Sequence, residues 1–213
     1  IDLFSGCGLY TFLPDGSLDY DGLGRMLEAV IAQNPKALIL PRTGVHYLGT
    51  RHPWYEQYQD ELQVSLNPEN GKMTTEGAFS MSSTFWREQI TPLLGDIVRF
   101  TEEHFGQYIL GYHLHGGLGT GEWAYMWSRN SLSDYSRPQQ EAFRRWLRER
   151  YQDDPARLQR AWKQEEATFE TVEIPRDRVR AYWQGVLFQP GKEQASIDYM
   201  HFHSETMADA LIH

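Results

Sequence analysis

One cysteine, Cys7, stands among 213 residues, so the chain cannot form a disulfide within itself. That leaves the compartment open; a soluble, cytoplasmic setting is taken ahead of a secreted one. No run of about 18 apolar residues occurs, which is the length a membrane-spanning helix needs, so no membrane partner is expected. Basic residues are the scarcer charge, 20 Lys and Arg against 29 Asp and Glu, giving a net charge of -9. They form no stripe, which argues against a nucleic-acid partner, because phosphates demand clustered cations. The glycine cluster at Gly116, Gly117, Gly119 and Gly121 carries no Lys and opens no helical pattern, so it is not a phosphate cradle. Metal ligand spacing is missing as well. His113 and His115 alternate on a predicted strand with no Cys or carboxylate completing a set, while His201 and His203 lie two apart on a predicted helix and face different ways. No metal and no cofactor is expected.

What the chain has in quantity is aromatic surface, 14% of residues with 7 Trp and 12 Tyr. Large rings either stack on sugar faces or fill a core. In chain order, Ile1 to Phe4 reads as the tail of a strand, followed by a Pro14-Asp15-Gly16 turn. Leu23, Met26, Leu27, Val30 and Ile31 share one helical face, capped at Asp19 or Asp21 and stopped by Asn34-Pro35. Ala37 to Leu40 reads as a short buried strand ended by Pro41. The stretch Thr43 to Ser80 is long for a loop, which marks it as functional or disordered; Trp54, Tyr55 and Tyr58 are expected to wall a cleft, and Glu61 to Met73 to form a solvated excursion. Ser82 to Phe105 carries a core-facing helical stripe through Trp86, Ile90 and Ile97, either kinked at Pro92 or restarted there with Thr91 as cap. A buried strand is predicted from Tyr108 to about His115. Ser136 and Gln139 have capping-box spacing before a helix with Phe143, Trp146 and Leu147 inside. Asp154-Pro155 restarts a short helix holding Leu158 and Trp162. Glu165 to Pro190 reads as irregular, a second cleft wall, and Ile197, Met200, Ser204, Met207, Ala208 and Leu211 mark a last amphipathic helix from Glu193. Helix and strand alternate, which implies parallel pairing through right-handed crossovers.

Chemistry concentrates after the Tyr108 strand. The glycines turn the backbone just past its carboxyl end, where α/β folds place ligands, and deliver Glu122 beside Trp123. A carboxyl group against an indole, with Tyr125 and Trp127 following, suits a general acid stacked on a sugar ring, since partial burial raises its pKa and keeps a proton available. The plainer alternative is a surface Glu with its Trp in the core. Arg42, just past the second strand, offers a planar fork to a substrate hydroxyl or a carboxylate. His113 is placed to hydrogen-bond a sugar hydroxyl or tune Glu122, with His115 beside it. Trp127 and Tyr135 are expected over the same mouth.

The Tyr108 strand with its Gly-Glu-Trp, the Asp-Tyr-Ser at 134–136, the Phe143 to Tyr151 stretch and Leu-Gln-Arg-Ala-Trp at 158–162 resemble the family 42 β-galactosidases and their relatives in clan A of the glycoside hydrolases. The resemblance spans roughly Leu3 to Ala161, and its most specific stretch, Phe143 to Tyr151, is structural. It implies an eight-stranded β/α (TIM) barrel, a carbohydrate substrate and a retaining mechanism with Glu122 as general acid/base. From the residues' own positions, the substrate contacts expected are Arg42, Trp54, His113, His115, Trp123, Trp127 and Tyr135. One departure stands out. The residue usual before the acid is Asn, which contacts the sugar's 2-hydroxyl, and here it is Gly121. That departure opens an alternative, a carbohydrate-binding or scaffold protein on a degenerate barrel.

A full barrel takes about 250 residues. The chain is therefore expected to be part of a single barrel domain, about strands 2 to 4 and the helices after them, with the nucleophile beyond it. Such a piece exposes strand edges and apolar interior surface, so it is expected to associate with copies of itself and not to catalyse alone. Sedimentation of the 24.8 kDa chain with a glycosidase assay on the same sample tests this; an active monomer would contradict it.

Overall fold

The computed structural model describes residues 3–8, 12–44, 52–67, 69–115, 134–176 and 188–212. Among them, three parallel strands form one sheet, in the order β1 (Leu3–Gly8), β2 (Leu38–Gly44) and β5 (His113–His115). Strands β3 (Leu62–Leu66) and β4 (Met73–Phe79) form an antiparallel hairpin. The helices are α1 (Tyr20–Gln33), α2 (Trp54–Gln57), α3 (Thr84–Phe105), α4 (Arg137–Arg150), α5 (Pro155–Trp162) and α6 (Gln194–Ile212). This is a segment of a β/α barrel, open at both sheet edges among the described residues.

The sheet is built on α1. Asp19 caps that helix by accepting from the Gly22 amide at 2.8 Å, and Leu23 and Leu27 on its inner face are fully buried. Leu27 meets Ala37 and Ile39, with Phe105 and Tyr108 closing the cluster. Strand β2 does not stop at Pro41 but runs to Gly44. Its register with β1 explains why: Ser5 pairs with Leu40 and Gly8 with Arg42, so β1 spends three residues where β2 spends two, a bulge opposite Pro41. A residue without an N–H fits where the ladder is already interrupted. Arg42 therefore lies within the strand. Helix α3 is one helix through Pro92, capped by Ser83, with the Thr91 hydroxyl donating to the Arg87 carbonyl at 3.2 Å. The predicted Tyr108 strand is shorter than expected. Gly106–Tyr108 forms a 3-10 turn, Ile109 makes one bridge to Ile39, and the ladder starts only at His113. Tyr108 and Ile109 are apolar because they pack with Phe105 on the β2 layer, not because they extend the ladder.

The expected solvated excursion at Glu61 to Met73 is instead strand β3, with Leu62, Gln63, Ser65 and Leu66 all buried, and the turn into β4. Asn67 and Lys72 close that turn at 2.8 Å, and Gly71 takes a φ of +69° that favours glycine. A separate helical core holds Phe143, Leu147, Leu158, Trp162, Tyr199 and Phe202. The irregular stretch after α5 contributes Ala167, Phe169, Val172 and Ile174 to it, so residues 165–176 are core before they are wall. Helix α6 turns a different face inward from the one its apolar residues suggest. Ser204 and Ala208 are exposed, while Ser196, Asp198, Tyr199, Phe202, His203 and Thr206 are buried.

Asp198 explains that rotation. Its side chain is fully buried, with one oxygen accepting from Arg150 Nε at 3.1 Å and Gln194 Nε2 at 3.0 Å. The other accepts from the Tyr151 hydroxyl at 2.6 Å and Trp162 Nε1 at 2.8 Å. A buried carboxylate is tolerated only when its lone pairs are met, and these four donors come from α4 and its cap, α5 and α6 itself. Asp198→Ala should cost about 3–5 kcal/mol in urea unfolding, since it strands buried donors, whereas Trp162→Phe should cost about 1–2 kcal/mol by removing one of them. A loss from Asp198→Ala no larger than that from Trp162→Phe would show that the carboxylate does not bind the helices together.

Candidate functional site

Parallel pairing brings the carboxyl ends of three strands to one rim. Gly8 pairs with Arg42, Arg42 with His113, and Gly44 with His115. Register partners on adjacent strands share a sheet face, and Arg42, three residues from Ile39, lies on the face opposite the one packed against α1. Arg42 and His113 are thus side by side on the interior face at the rim where barrels place their ligands. The Arg42 Nε is buried and finds no hydrogen-bond partner among the described residues. Buried polar groups are usually satisfied, so this guanidinium is suited to take an incoming acceptor. His115 joins the same rim through its backbone. Glu122, Trp123 and Trp127 lie outside the described residues, as does the expected neighbour Tyr125.

The two loops that leave this rim meet each other. His52, after β2, is buried between them: its Nε2 lies 3.1 Å from the Gly16 carbonyl, and its Nδ1 accepts from the Trp54 amide at 3.2 Å. Burial holds its pKa below the usual imidazole value. Trp54 is half-buried, 4.5 Å from the His52 ring and 5.5 Å from Phe85, and Tyr55 and Tyr58 stack on Phe79 and Phe85. The three rings expected to wall a cleft are half-buried and pack against the cluster formed by Leu62, Phe79, Trp86 and Ile90. Tyr135 packs against the helical core, and its hydroxyl donates to the Pro175 carbonyl at 3.1 Å. His201 is exposed and His203 buried, on different sides of α6. Among the described residues, no three His, Cys, Asp or Glu gather closely enough to hold a metal ion, and no helix is long and apolar enough to cross a membrane.

The glycoside hydrolase family 42 model, described as β-galactosidase, matches residues 14–212. The β-galactosidase of Bacillus circulans sp. alkalophilus is similar in structure, with a TM-score of 0.64 at 18% identity over 99% of this chain and 29% of that one. The enzyme from the psychrophilic Marinomonas ef1 gives 0.68 at 14% identity over 99% and 30%. That of the haloarchaeon Halorubrum lacusprofundi gives 0.57 at 18% identity over 91% and 26%. The chain thus spans under a third of the length of these structures. No curated protein matches it by sequence search.

Sequence reading missed His52, a lone residue in no recognisable spacing, and expected Asp134, in its Asp-Tyr-Ser stretch, over the mouth without its anchoring role. Asp134 anchors the chain where it returns to the described structure. One carboxylate oxygen accepts from the Val64 amide at 3.0 Å and the Ser136 amide at 2.8 Å, and the other from the Ser136 hydroxyl at 2.9 Å, with Ser80 also bonding the group. Complete burial pushes its pKa up against the pull of these donors. The native chain then holds that proton more tightly than the unfolded one. Its stabilising effect is complete below the unfolded carboxyl value and is lost as pH rises through the raised native value. Asp134→Asn keeps an oxygen for the two backbone amides without the charge. Relative to wild type it should gain in urea stability from about pH 4 to about pH 7, while Asp134→Ala should lose about 2–4 kcal/mol by leaving those amides bare. The opposite trend for Asp134→Asn would mean that the donors outweigh burial.

Proposed function

The chain belongs to glycoside hydrolase family 42, and from that premise we propose that the full protein hydrolyses a β-linked sugar in the manner of a β-galactosidase, by a retaining mechanism. The observation that carries the reading is the family match over residues 14–212. Glu122 is the general acid/base: it protonates the glycosidic oxygen as the bond to the anomeric carbon breaks, then takes a proton from the water that releases the sugar. The nucleophile is a carboxylate outside this sequence, with the two carboxyl groups about 5 Å apart, as retention requires. Arg42 and His113, paired at the rim, supply polar contacts to sugar hydroxyls or to the nucleophile, and Arg42's unpartnered Nε supports that role. Trp123 and Trp127 supply stacking surface. Trp54 packs against His52 and Phe85, and Tyr135 has its hydroxyl committed to Pro175.

Gly121, in place of the usual Asn, favours a second reading, a carbohydrate-binding or scaffold protein that has kept the barrel and lost catalysis. The longer sequence discriminates the two. A Glu or Asp at the end of a seventh strand supports the enzyme; its absence supports binding alone. Within the enzyme reading, Glu122→Gln in the full protein should lower turnover of natural glycosides about 100- to 10,000-fold. Aryl glycosides with good leaving groups should lose much less, because they need no proton to depart. Equal losses on both substrates would remove Glu122 from the acid role.

A further inference from the structure

We infer that His52 is a proton-operated clamp that pins the turn at Gly16, between β1 and α1, to the start of α2 after β2 when neutral and releases it when protonated. The two segments it joins each follow the carboxyl end of a strand, the end at which Arg42 and His113 pair. Only one tautomer satisfies both contacts: Nδ1 must be bare to accept from the Trp54 amide, and Nε2 must carry hydrogen to donate to the Gly16 carbonyl. A second proton lands on Nδ1 and turns two donors against each other.

Among the described residues, the neighbours of the ring are aromatic rings and backbone, with no carboxylate to compensate the added charge. Phe12 meets it edge-on at 4.9 Å and Trp54 at 4.5 Å. Gly16, at a φ of +88°, brings its backbone so near that a Cβ there would stand 3.0 Å from Pro53 and 3.2 Å from the imidazole. Of the groups facing the ring from either loop, none among the described residues is charged. Asp15, next to Gly16, is turned onto Ser17, bonding its hydroxyl at 2.6 Å and its amide at 2.9 Å. Because burial depresses the native pKa, the clamp is closed above the unfolded imidazole value of about 6.5 and loosens as pH falls through the native one.

The test has an arm that needs no catalysis, so its failure is separate from failure of the glycosidase reading on which the substrate arm rests. In the full protein, amide exchange of residues 12–18 and 52–58, corrected for intrinsic rates, should speed up about tenfold between about pH 7.5 and about pH 5, roughly the worth of one hydrogen bond. In His52→Gln, whose amide keeps a donor for Gly16 and cannot titrate, exchange should be independent of pH. With a chromogenic aryl β-galactoside, KM should rise on the acid side in wild type and stay level in His52→Gln, with kcat alike in both. Titration of the His52 ring by NMR in wild type, which needs no variant, should fall below the usual imidazole value. An ordinary or raised ring pKa, or the same acid-side exchange in wild type and variant, would overturn the clamp.

Discussion

The helical half of this chain depends on one buried carboxyl group. Asp198 is surrounded by an apolar core that would reject it if its oxygens were bare, and it is tolerated there because Arg150, Tyr151, Trp162 and Gln194 all reach it. Apolar packing tolerates small slides of one helix on another, whereas four directional bonds into a single carboxylate do not. The stretch Phe143 to Tyr151 gains a physical meaning from this. Phe143 and Leu147 build the core, and the last two residues turn to the carboxylate, as Trp162 does from the end of α5. In this chain the stretch Phe143 to Tyr151 is a helix-locking device.

The next residue on α6 extends the lock to the rest of the fold. The Tyr199 hydroxyl accepts from the Asp134 amide and from Gln139 Nε2, and donates to the Asp134 carbonyl at 3.0 Å. Gln139 in turn accepts from the Ser82 hydroxyl at 2.6 Å, just before α3. Tyr135 donates its amide to Val64 of the hairpin. Two adjacent residues of one helix thus face two ways: Asp198 gathers the helices, and Tyr199 ties them to the elements around the sheet. Apolar spacing along α6 points to another face because the buried stripe is largely polar and satisfied by partners far away in sequence.

Where the deciding chemistry is local, the sequence shows it. Asp19, Ser136 and Asp154 each cap the helix that begins at the next residue, and each bond closes within three residues. Where a distant partner decides, the sequence is silent. Pro41 reads as a strand end, and only the bulge in β1 lets it sit inside one. Leu62 to Leu66 reads as a polar excursion because Gln63 and Ser65 are polar, yet both are buried. His52 and Asp134 find their partners 36 and 70 positions away, and no spacing rule reaches that far. The rim residues Arg42 and His113 were legible in kind, as polar groups at strand ends. Their pairing needed the register.

A proton donor works only within hydrogen-bond reach of the oxygen it protonates, so the acid/base role proposed for Glu122 would call for anchors more directional than burial of apolar surface supplies. The described structure shows how the chain is held on either side of it. On one side His115 ends a strand whose register is set residue by residue against Arg42, Thr43 and Gly44. On the other, Asp134 is fully buried, with its carboxylate on two backbone amides and its own backbone on Tyr199. Both anchors are hydrogen-bonded rather than greasy. The second is costly, since burial works against the charge of Asp134, and a carboxylate retained in such a place fixes direction more than it adds stability. The polar groups buried around Asp134 and Asp198 therefore serve geometry first, fixing the helices against one another and against the hairpin.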